Sequence, residues 1–248
     1  MIGIIGGSGL EDPKLLKEAE EVRLETPFGE HSPIKKGKIN GVEVALLSRH
    51  GYRHELSPTR VPYKANIWAL KEIGCKAIIA SSACGSLKEE VKPGTLSFPT
   101  QFIDQTRHRD SSFTEHGNVL HISMAEPFNA ELRKVLVGKA EELGLEYTKD
   151  TTVVTIEGPR FSTKAESELF RLLKADLINM TTVPEVCLAV EAEVPYQVVN
   201  LVTDYDCWRE GTEAVTFEEV MKVMKGNAEK VKRLFVESLP EIEKAFKR

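Results

Sequence analysis

Short apolar runs rich in β-branched residues alternate with amphipathic helical patterns along the chain. The runs predict strands over Met1 to Ile5, Glu43 to Leu47, Ala77 to Ala80, Thr152 to Ile156 and Tyr196 to Val202. Alternating strands and helices are typical of an α/β sheet with helices packed on it. Because no repeat, low-complexity tract or Pro/Gly/Ser linker marks a boundary, the sequence predicts a single domain over residues 1–248.

The helical patterns carry clear start and stop signals. Apolar spacing predicts helices over Ala65 to Ile73 and over Glu131 to Leu143, each followed by a glycine. Thr163 and Thr216 each have a glutamate three residues later, which is the spacing of a capping box. We therefore expect a helix to begin at each of these threonines. The second helix has an apolar side made of Phe217, Val220, Val223, Met224, Val231 and Leu234.

Composition and charge narrow the class of protein. The net charge of −5 argues against a nucleic-acid binder, which normally presents a basic face to the phosphate backbone. No stretch approaches the ~20 apolar residues of a membrane span, and the first residues lack the pattern of a signal peptide. The four cysteines are scattered without CxxC spacing, so we expect reduced thiols in a soluble, cytoplasmic protein.

A glycine-rich turn, Gly6-Gly7-Ser8-Gly9, directly follows the first predicted strand. Backbone N–H groups in such a turn can hold an anion, and Ser8 adds a hydroxyl donor. The dinucleotide-binding fingerprint needs a third glycine three residues after Gly9, where the chain has Asp12, so that interpretation fails. A tight turn without a ligand is the alternative.

Polar residues also follow two further predicted strands. Arg49 and His50 come after Leu47, and Ser82 and Ala83 belong to a run of small residues after Ala80. Ligands of α/β sheets bind at strand ends, and the fork of an arginine fits a tetrahedral oxyanion. A surface charge is the alternative interpretation of Arg49. His50 is followed four residues later by a second histidine, but the glutamate of a metalloprotease helix is missing, so no metal site is predicted.

Two carboxylates, Asp204 and Asp206, follow the apolar strand Tyr196 to Val202. Paired acids at a strand end favour a cationic or protonated partner. A metal pair or a solvated turn is the alternative, but apolar residues flank the acids and no further acidic cluster appears nearby.

Taken together, these motifs resemble one family, the trimeric nucleoside phosphorylases, and within it the 5'-methylthioadenosine phosphorylases. The resemblance covers nearly the whole chain. It rests on IGIIGGSGL at 2–10, TPFGEHS at 26–32, SRHG at 48–51, NIWALKEIGC at 66–75, SACGSLKEE at 82–90, MAEPF at 124–128, TIEGPRFST at 155–163, INMTTVPE at 178–185 and TDYDCW at 203–208.

The resemblance implies a fold, an assembly and a reaction. The fold is a single α/β domain whose mixed, partly barrel-like sheet is surrounded by helices. The assembly is a trimer or a dimer of trimers, with active sites near the subunit contacts. The reaction is the phosphorolysis of 5'-methylthioadenosine to adenine and 5-methylthioribose 1-phosphate, with inorganic phosphate as co-substrate and no cofactor or metal.

The resemblance also implies roles for particular residues. Phosphate is expected at Ser8, Arg49, His50, Ser82, Ala83 and Thr181, where Ser8 and Ser82 replace the Thr of many relatives and keep its hydroxyl. For the nucleoside, the family pattern places Phe161 against the purine, Met180 under the ribose, Asp204 and Asp206 along the base edge, Val220 and Met224 near the 5' position, and His121 in the site of a neighbouring subunit.

These roles agree with the chemistry of the reaction. Cleavage of the C1'–N9 bond builds negative charge on the purine, so an acid at N7, which we assign to Asp206, improves the leaving group. Asp204 is then expected to accept a hydrogen bond from the 6-amino group, whereas relatives that prefer 6-oxopurines typically carry Asn here. Two alternatives stay open: a purine nucleoside or methylthioinosine phosphorylase of the same fold, and a nucleoside- or phosphate-binding protein without catalysis.

Overall fold

In the computed structural model, which describes residues 1–6, 16–114, 119–209 and 216–247, nine strands form one sheet and helices pack on both of its faces. The strands are β1 Ile2–Gly6, β2 Lys17–Val22, β3 Ile34–Ile39, β4 Val42–Ser48, β5 Ile78–Ser86, β6 Leu96–Gln105, β7 Tyr147–Ile156, β8 Leu177–Asn179 and β9 Tyr196–Asp204. The α-helices are α1 Tyr63–Glu72, α2 Ala130–Glu142, α3 Lys164–Leu172, α4 Thr182–Glu191 and α5 Phe217–Ala245, and a short 3-10 turn covers Pro58–Arg60.

Five of the strands close into a barrel. They follow one another in the order β5-β8-β7-β6-β9, and β9 pairs back with β5. Beyond β5, the sheet continues through the parallel strands β1 and β4 to the antiparallel strands β3 and β2 at its edge. Parallel and antiparallel pairs therefore share one sheet, which confirms the expected mixed, partly barrel-like architecture.

The five predicted strands are confirmed as β1, β4, β5, β7 and β9. The boundaries of two strands were wrong by several residues. β5 was expected to end at Ala80 but continues to Ser86, because this stretch pairs with β9 inside the barrel, and β7 was expected to begin at Thr152 but begins at Tyr147. The pattern did not predict β2, β3, β6 or β8. Five of the six residues of β2 are exposed, and β8 has only three residues, so neither gives an apolar run long enough to detect.

The predicted helices are also present. Thr163 Oγ1 accepts the N–H of Glu166 at 3.2 Å, and the carboxylate of Glu166 accepts the N–H of Thr163 at 2.8 Å. This reciprocal pair is the expected capping box, and α3 follows it. Helix α5 begins directly after Thr216. Helix α4 was not predicted, because Pro184 and a mostly apolar sequence hide its helical period.

Buried apolar side chains form two large clusters on opposite faces of the sheet. One contains Ile67 and Leu70 of α1 and Val186 of α4, and the other contains Leu136 of α2 and Leu234 of α5. Helices therefore cover both faces of the sheet, as an α/β fold requires. Within the described residues, no helix has the length and apolar character needed to cross a bilayer.

Candidate active site

A cavity of about 380 Å³ lies where β5, β7, β8 and β9 end and where the chain leaves β4. Most of the residues predicted for the site line it: Arg49, His50, Ser82, Ala83, Phe161, Met180, Thr181, Asp204, Asp206 and Val220. Segments from six regions of the chain thus meet at one place.

Two of the predicted residues do not line this cavity. A third, Ser8, lies outside the described residues. Met224 is 4% exposed and packs in the apolar cluster under α5, so its side chain belongs to the core. His121 is exposed on the surface of its own chain and does not line the cavity of that chain. Its expected role in a neighbouring subunit stays a prediction.

Arg49 is a buried cation that lines the cavity. Its Nε and Nη2 donate to the two carboxylate oxygens of Glu185 at 2.8 Å each, and its Nη1 donates to the carbonyl of Ser81 at 2.8 Å. Only 1% of Arg49 is exposed, so the interpretation as a surface charge is wrong. Burial opposes its charge, but the carboxylate of Glu185 raises the pKa of Arg49 above its ordinary value.

Glu185, which sequence reasoning missed, is the partner that stabilises this charge. It lies on α4, is 1% exposed and accepts a further hydrogen bond from the hydroxyl of Tyr196 at 2.6 Å. The two members of the ion pair are 136 positions apart in the sequence. Nothing local marks a glutamate in an apolar helix as a partner of Arg49.

The imidazole ring of His50 is uncharged at this site. Burial, together with the charge of Arg49, lowers the pKa of His50 to about 3. Its Nδ1 lies 2.8 Å from the carbonyl of Leu56 and donates to it in the neutral ring, which leaves Nε2 as an acceptor. The ring also stacks on His54 at a centroid distance of 4.4 Å. In the described part of the chain, no three His, Cys, Asp or Glu residues are grouped in a way that could hold a metal ion.

Small hydroxyl groups face each other close to Arg49. Ser82 Oγ of β5 lies 3.0 Å from Thr181 Oγ1, which directly precedes α4. Asn179 at the end of β8 donates its amide to Ser82 Oγ at 3.2 Å and to Thr182 Oγ1 at 2.7 Å. An amide N–H can only donate, so Ser82 Oγ accepts this bond, and it donates its own proton to the carbonyl of Ala83 at 3.1 Å. Asn179 was not singled out in the sequence.

The two acids occupy a different part of the cavity, at the end of β9. Asp204 Oδ2 accepts from Thr203 Oγ1 at 2.6 Å, and Asp204 Oδ1 accepts from the N–H of Asp206 at 2.8 Å. Gly85 is needed beside them, because a Cβ at this position would lie 2.9 Å from Asp204 Oδ1. The register of β5 with β9 shifts between Cys84 and Gly85. Such a bulge re-aims the following side chain, here Asp204.

Asp206 is held by a serine that sequence reasoning passed over. Ser162 Oγ lies 2.8 Å from both carboxylate oxygens of Asp206, so its hydroxyl donates to that carboxylate. Asp206 is 5% exposed and has a left-handed backbone with φ of 51°. Ser162 follows Phe161 directly in the chain, and only the folded structure brings it to an acid 44 positions away.

Apolar side chains complete the lining of the cavity. They include Ile156, Phe161, Ile178, Met180 and Val220. Phe161 remains 38% exposed, so part of its side chain is accessible to a ligand in the cavity. The cavity therefore combines a buried cation with small hydroxyls, a pair of carboxylates, and an apolar wall.

A second arginine, Arg109, has a buried side chain that holds the segment with Met180 and Thr181. Its Nη1 donates to the carbonyls of Met180 at 2.6 Å and Val183 at 2.8 Å, and its Nε donates to Glu157 at 2.9 Å. Burial opposes ionisation of Glu157, but hydrogen bonds from backbone N–H groups and from Thr59 lower its pKa to about 2. No sequence signal distinguished Arg109 from other arginines.

Comparison with known proteins shows similarity along nearly the whole chain. Residues 1–240 match the sequence model of the phosphorylase superfamily. The chain is 50% identical over 248 residues to an S-methyl-5'-thioadenosine phosphorylase of Xenopus tropicalis, which covers 97% of this chain and 88% of the relative. It is 50% identical over 243 residues to the enzyme of that name from Hyperthermus butylicus, again covering 97% and 88%.

A solved structure shows the same architecture. The methylthioadenosine phosphorylase from Schistosoma mansoni in complex with adenine superimposes with a TM-score of 0.93 and 37% sequence identity. The superposition covers 97% of this chain and 91% of that one. The barrel therefore belongs to a known α/β fold.

Proposed function

We propose, because the chain belongs to the phosphorylase superfamily, that the cavity at the end of the barrel is where inorganic phosphate cleaves S-methyl-5'-thioadenosine. The reaction is a pentosyl transfer that yields adenine and 5-methylthioribose 1-phosphate and serves purine and methionine salvage. Phosphate is the co-substrate, and no cofactor takes part. The observation that carries this function is the 50% identity to S-methyl-5'-thioadenosine phosphorylases over 97% of the chain.

The phosphate is proposed to bind at Arg49, His50, Ser82, Ala83 and Thr181, with Ser8 from the glycine-rich turn. The five described residues line one cavity, which supports the proposal. Arg49 has five N–H donors and spends three on described residues, so two are left for oxygen atoms of the anion. Charge-assisted bonds of this kind are the strong ones in anion recognition.

The nucleoside is proposed to place its base at the two acids and its purine face on Phe161. Asp206 protonates or hydrogen-bonds N7 as the C1'–N9 bond breaks, and Ser162 holds its carboxylate for this step. Asp204 accepts the 6-amino group. Met180 contacts the ribose, whose developing positive charge is stabilised by the attacking phosphate.

The 5' end of the nucleoside is proposed to contact Val220, while Met224 is assigned to the core that supports α5. An apolar wall accepts a methylthio group and leaves a 5'-hydroxyl without partners, which favours the thioether by ~1 to 3 kcal/mol. His121 is proposed to reach the site of a neighbouring subunit in a trimer or a dimer of trimers. Val119 and Leu120 beside it are 73% and 55% exposed, which supports burial of this segment in an assembly.

The proposed location is the cytoplasm, and the proposed organisation is a single domain over residues 1–248. Four free cysteines support the location, because oxidising compartments favour disulfides. One sheet with strands from Ile2 to Asp204, and α5 packed in the same apolar cluster as strand residues, supports the single domain.

One assay tests the proposed function. Purified protein is incubated with methylthioadenosine, adenosine, inosine and methylthioinosine, each with and without inorganic phosphate. We expect base release that depends on phosphate and is fastest in kcat/KM for methylthioadenosine. A higher kcat/KM for a 6-oxopurine nucleoside would instead support the purine nucleoside or methylthioinosine alternative. Sedimentation of the same protein tests the oligomer, and an active monomer would contradict it.

A further inference from the structure

Helix α4 brings two different groups to the proposed phosphate site. Thr181, which directly precedes the helix, lines the cavity with its hydroxyl 3.0 Å from Ser82 Oγ. Glu185 lies one turn further along and does not line the cavity. Its carboxylate contacts the guanidinium of Arg49 and the hydroxyl of Tyr196. Glu185 therefore does not touch an anion in the cavity, and Arg49 is the residue through which it can orient one.

The bonds to Glu185 determine which way the guanidinium faces. A side-on pair through Nε and Nη2 fixes the plane of the group, and the carbonyl of Ser81 holds Nη1 at 2.8 Å. Within the described part of the chain, this leaves one N–H on Nη1 and one on Nη2 for a further acceptor. A guanidinium held by Ser81 alone could rotate, and the anion would then have to fix its orientation on binding.

Glu185 can influence phosphate binding in two opposite ways, through its own negative charge and through the orientation of Arg49. As a negative charge next to Arg49, it lowers the local attraction for an anion, so its removal should strengthen phosphate binding. As a group that orients Arg49, it reduces the entropy that phosphate binding costs, so its removal should weaken binding.

We propose that Glu185 is a positioning residue for phosphate, which holds the guanidinium of Arg49 with two N–H groups directed at the anion. This role rests on the proposed phosphate site. The bidentate geometry, through Nε and Nη2 of Arg49, is the observation that favours orientation.

The decisive variant is Glu185→Gln, which keeps the size of the side chain but presents an amide NH₂ to one of the two Arg49 donors. We expect the phosphate KM to rise by up to ~10²-fold, with little change in the KM for methylthioadenosine. Calorimetric titration with inorganic phosphate should show the same weakening. A folded variant whose phosphate affinity is unchanged or stronger would overturn the proposal.

Glu185→Asp tests the positioning role if the Glu185→Gln variant does not fold. It keeps the charge but withdraws the carboxylate by one methylene group, so orientation is lost and electrostatics are retained. A raised phosphate KM supports positioning, and an unchanged one overturns it. Asp176→Asn is the matched control, because this buried carboxylate pairs with Lys88 and the N–H of Thr152 and lies away from the cavity. It should lower the melting temperature and leave the phosphate KM as it is.

A double-mutant cycle separates this proposal from the phosphate site on which it rests. If Glu185 acts through Arg49, then Arg49→Ala and Arg49→Ala with Glu185→Gln should have the same phosphate KM. Independent, additive losses would overturn the positioning role while the phosphate site stands. An Arg49→Ala variant with wild-type phosphate KM and wild-type KM for methylthioadenosine would overturn the phosphate site itself.

Discussion

Replacing Asp204 by Asn should change the preferred base from adenine towards hypoxanthine. An amide at this position can keep the two hydrogen bonds that link Asp204 to Asp206 and Thr203. Its oxygen can accept the N–H of Asp206, as Asp204 Oδ1 does at 2.8 Å, and its NH₂ can donate to Thr203 Oγ1. Thr203 Oγ1 also lies 3.1 Å from the carbonyl of Cys84, so its own proton has another acceptor. The variant therefore presents a donor where the native chain presents an acceptor.

The size of the effect follows from the pairs that change. The carboxylate of Asp204 accepts a hydrogen bond from a 6-amino group and repels a 6-oxo oxygen, which is also an acceptor. The NH₂ of an asparagine would instead donate to the 6-oxo oxygen and oppose the 6-amino donor. A mismatched buried pair costs ~1 to 3 kcal/mol. Because Asp204 is only half-buried, we take the lower part of that range for each pair. The preference for methylthioadenosine over methylthioinosine should then weaken by ~2 to 3 kcal/mol. This corresponds to a ~30- to ~150-fold fall in the ratio of their kcat/KM values.

The assay measures initial rates of phosphate-dependent base release for both nucleosides with wild type and Asp204→Asn. Asp150→Asn is a suitable control, since it removes the charge of an exposed carboxylate that pairs with Arg133. Its substrate ratio should equal that of the wild type. If Asp204→Asn leaves the ratio unchanged, Asp204 does not contact position 6 of the base and our orientation of the purine is wrong.

Three further changes test other parts of the site. Ser162→Ala removes the hydroxyl that donates to both carboxylate oxygens of Asp206. Steady-state kinetics should show a fall in kcat of ~10-fold or more with an unchanged phosphate KM. A rise in phosphate KM as large as the fall in kcat would mean that the serine acts elsewhere. Val220→Ser adds a hydroxyl to the apolar wall and should narrow the kcat/KM preference for methylthioadenosine over adenosine, whereas a wider preference would place the 5' group away from α5. Because the pKa of Glu157 falls from 4.5 to about 2 on folding, its ionisation contributes stability that is present above pH 4.5 and lost as the pH falls through 2. The Tm deficit of Glu157→Gln should therefore shrink over this range in thermal unfolding, and a constant deficit would refute the assignment.

Sequence reasoning located the side chains that follow strands. Arg49, His50, Asp204 and Asp206 stand at strand ends, where an apolar run gives way to polar residues, and in α/β sheets such ends form the ligand site. The capping box at Thr163 was equally readable, because all its atoms lie within four residues. Local patterns of this kind need no knowledge of the tertiary fold.

The groups that hold those side chains were not predictable in the same way. Glu185 meets Arg49 across 136 positions, and Arg109 meets Met180 across 71. A single charged residue in a helix or loop looks the same whether it is solvated or paired across the fold. Met224 shows the same limit, because an apolar stripe on a helix does not say whether it faces the core or a cavity.

The parallel pairing of β5 with β9 has a consequence for how substrate choice can change. Ser82 stands opposite Asn200, and Gly85 stands opposite Asp204. Three residues of strand, ~10 Å at ~3.3 Å each, thus separate the hydroxyl proposed for the anion from the carboxylate proposed for the base. Main-chain hydrogen bonds inside a closed barrel maintain this span when the side chain of Ser82 or Asp204 is changed. Mutation of either residue can therefore alter the anion or the base that is accepted, while the spacing between the two proposed subsites is kept.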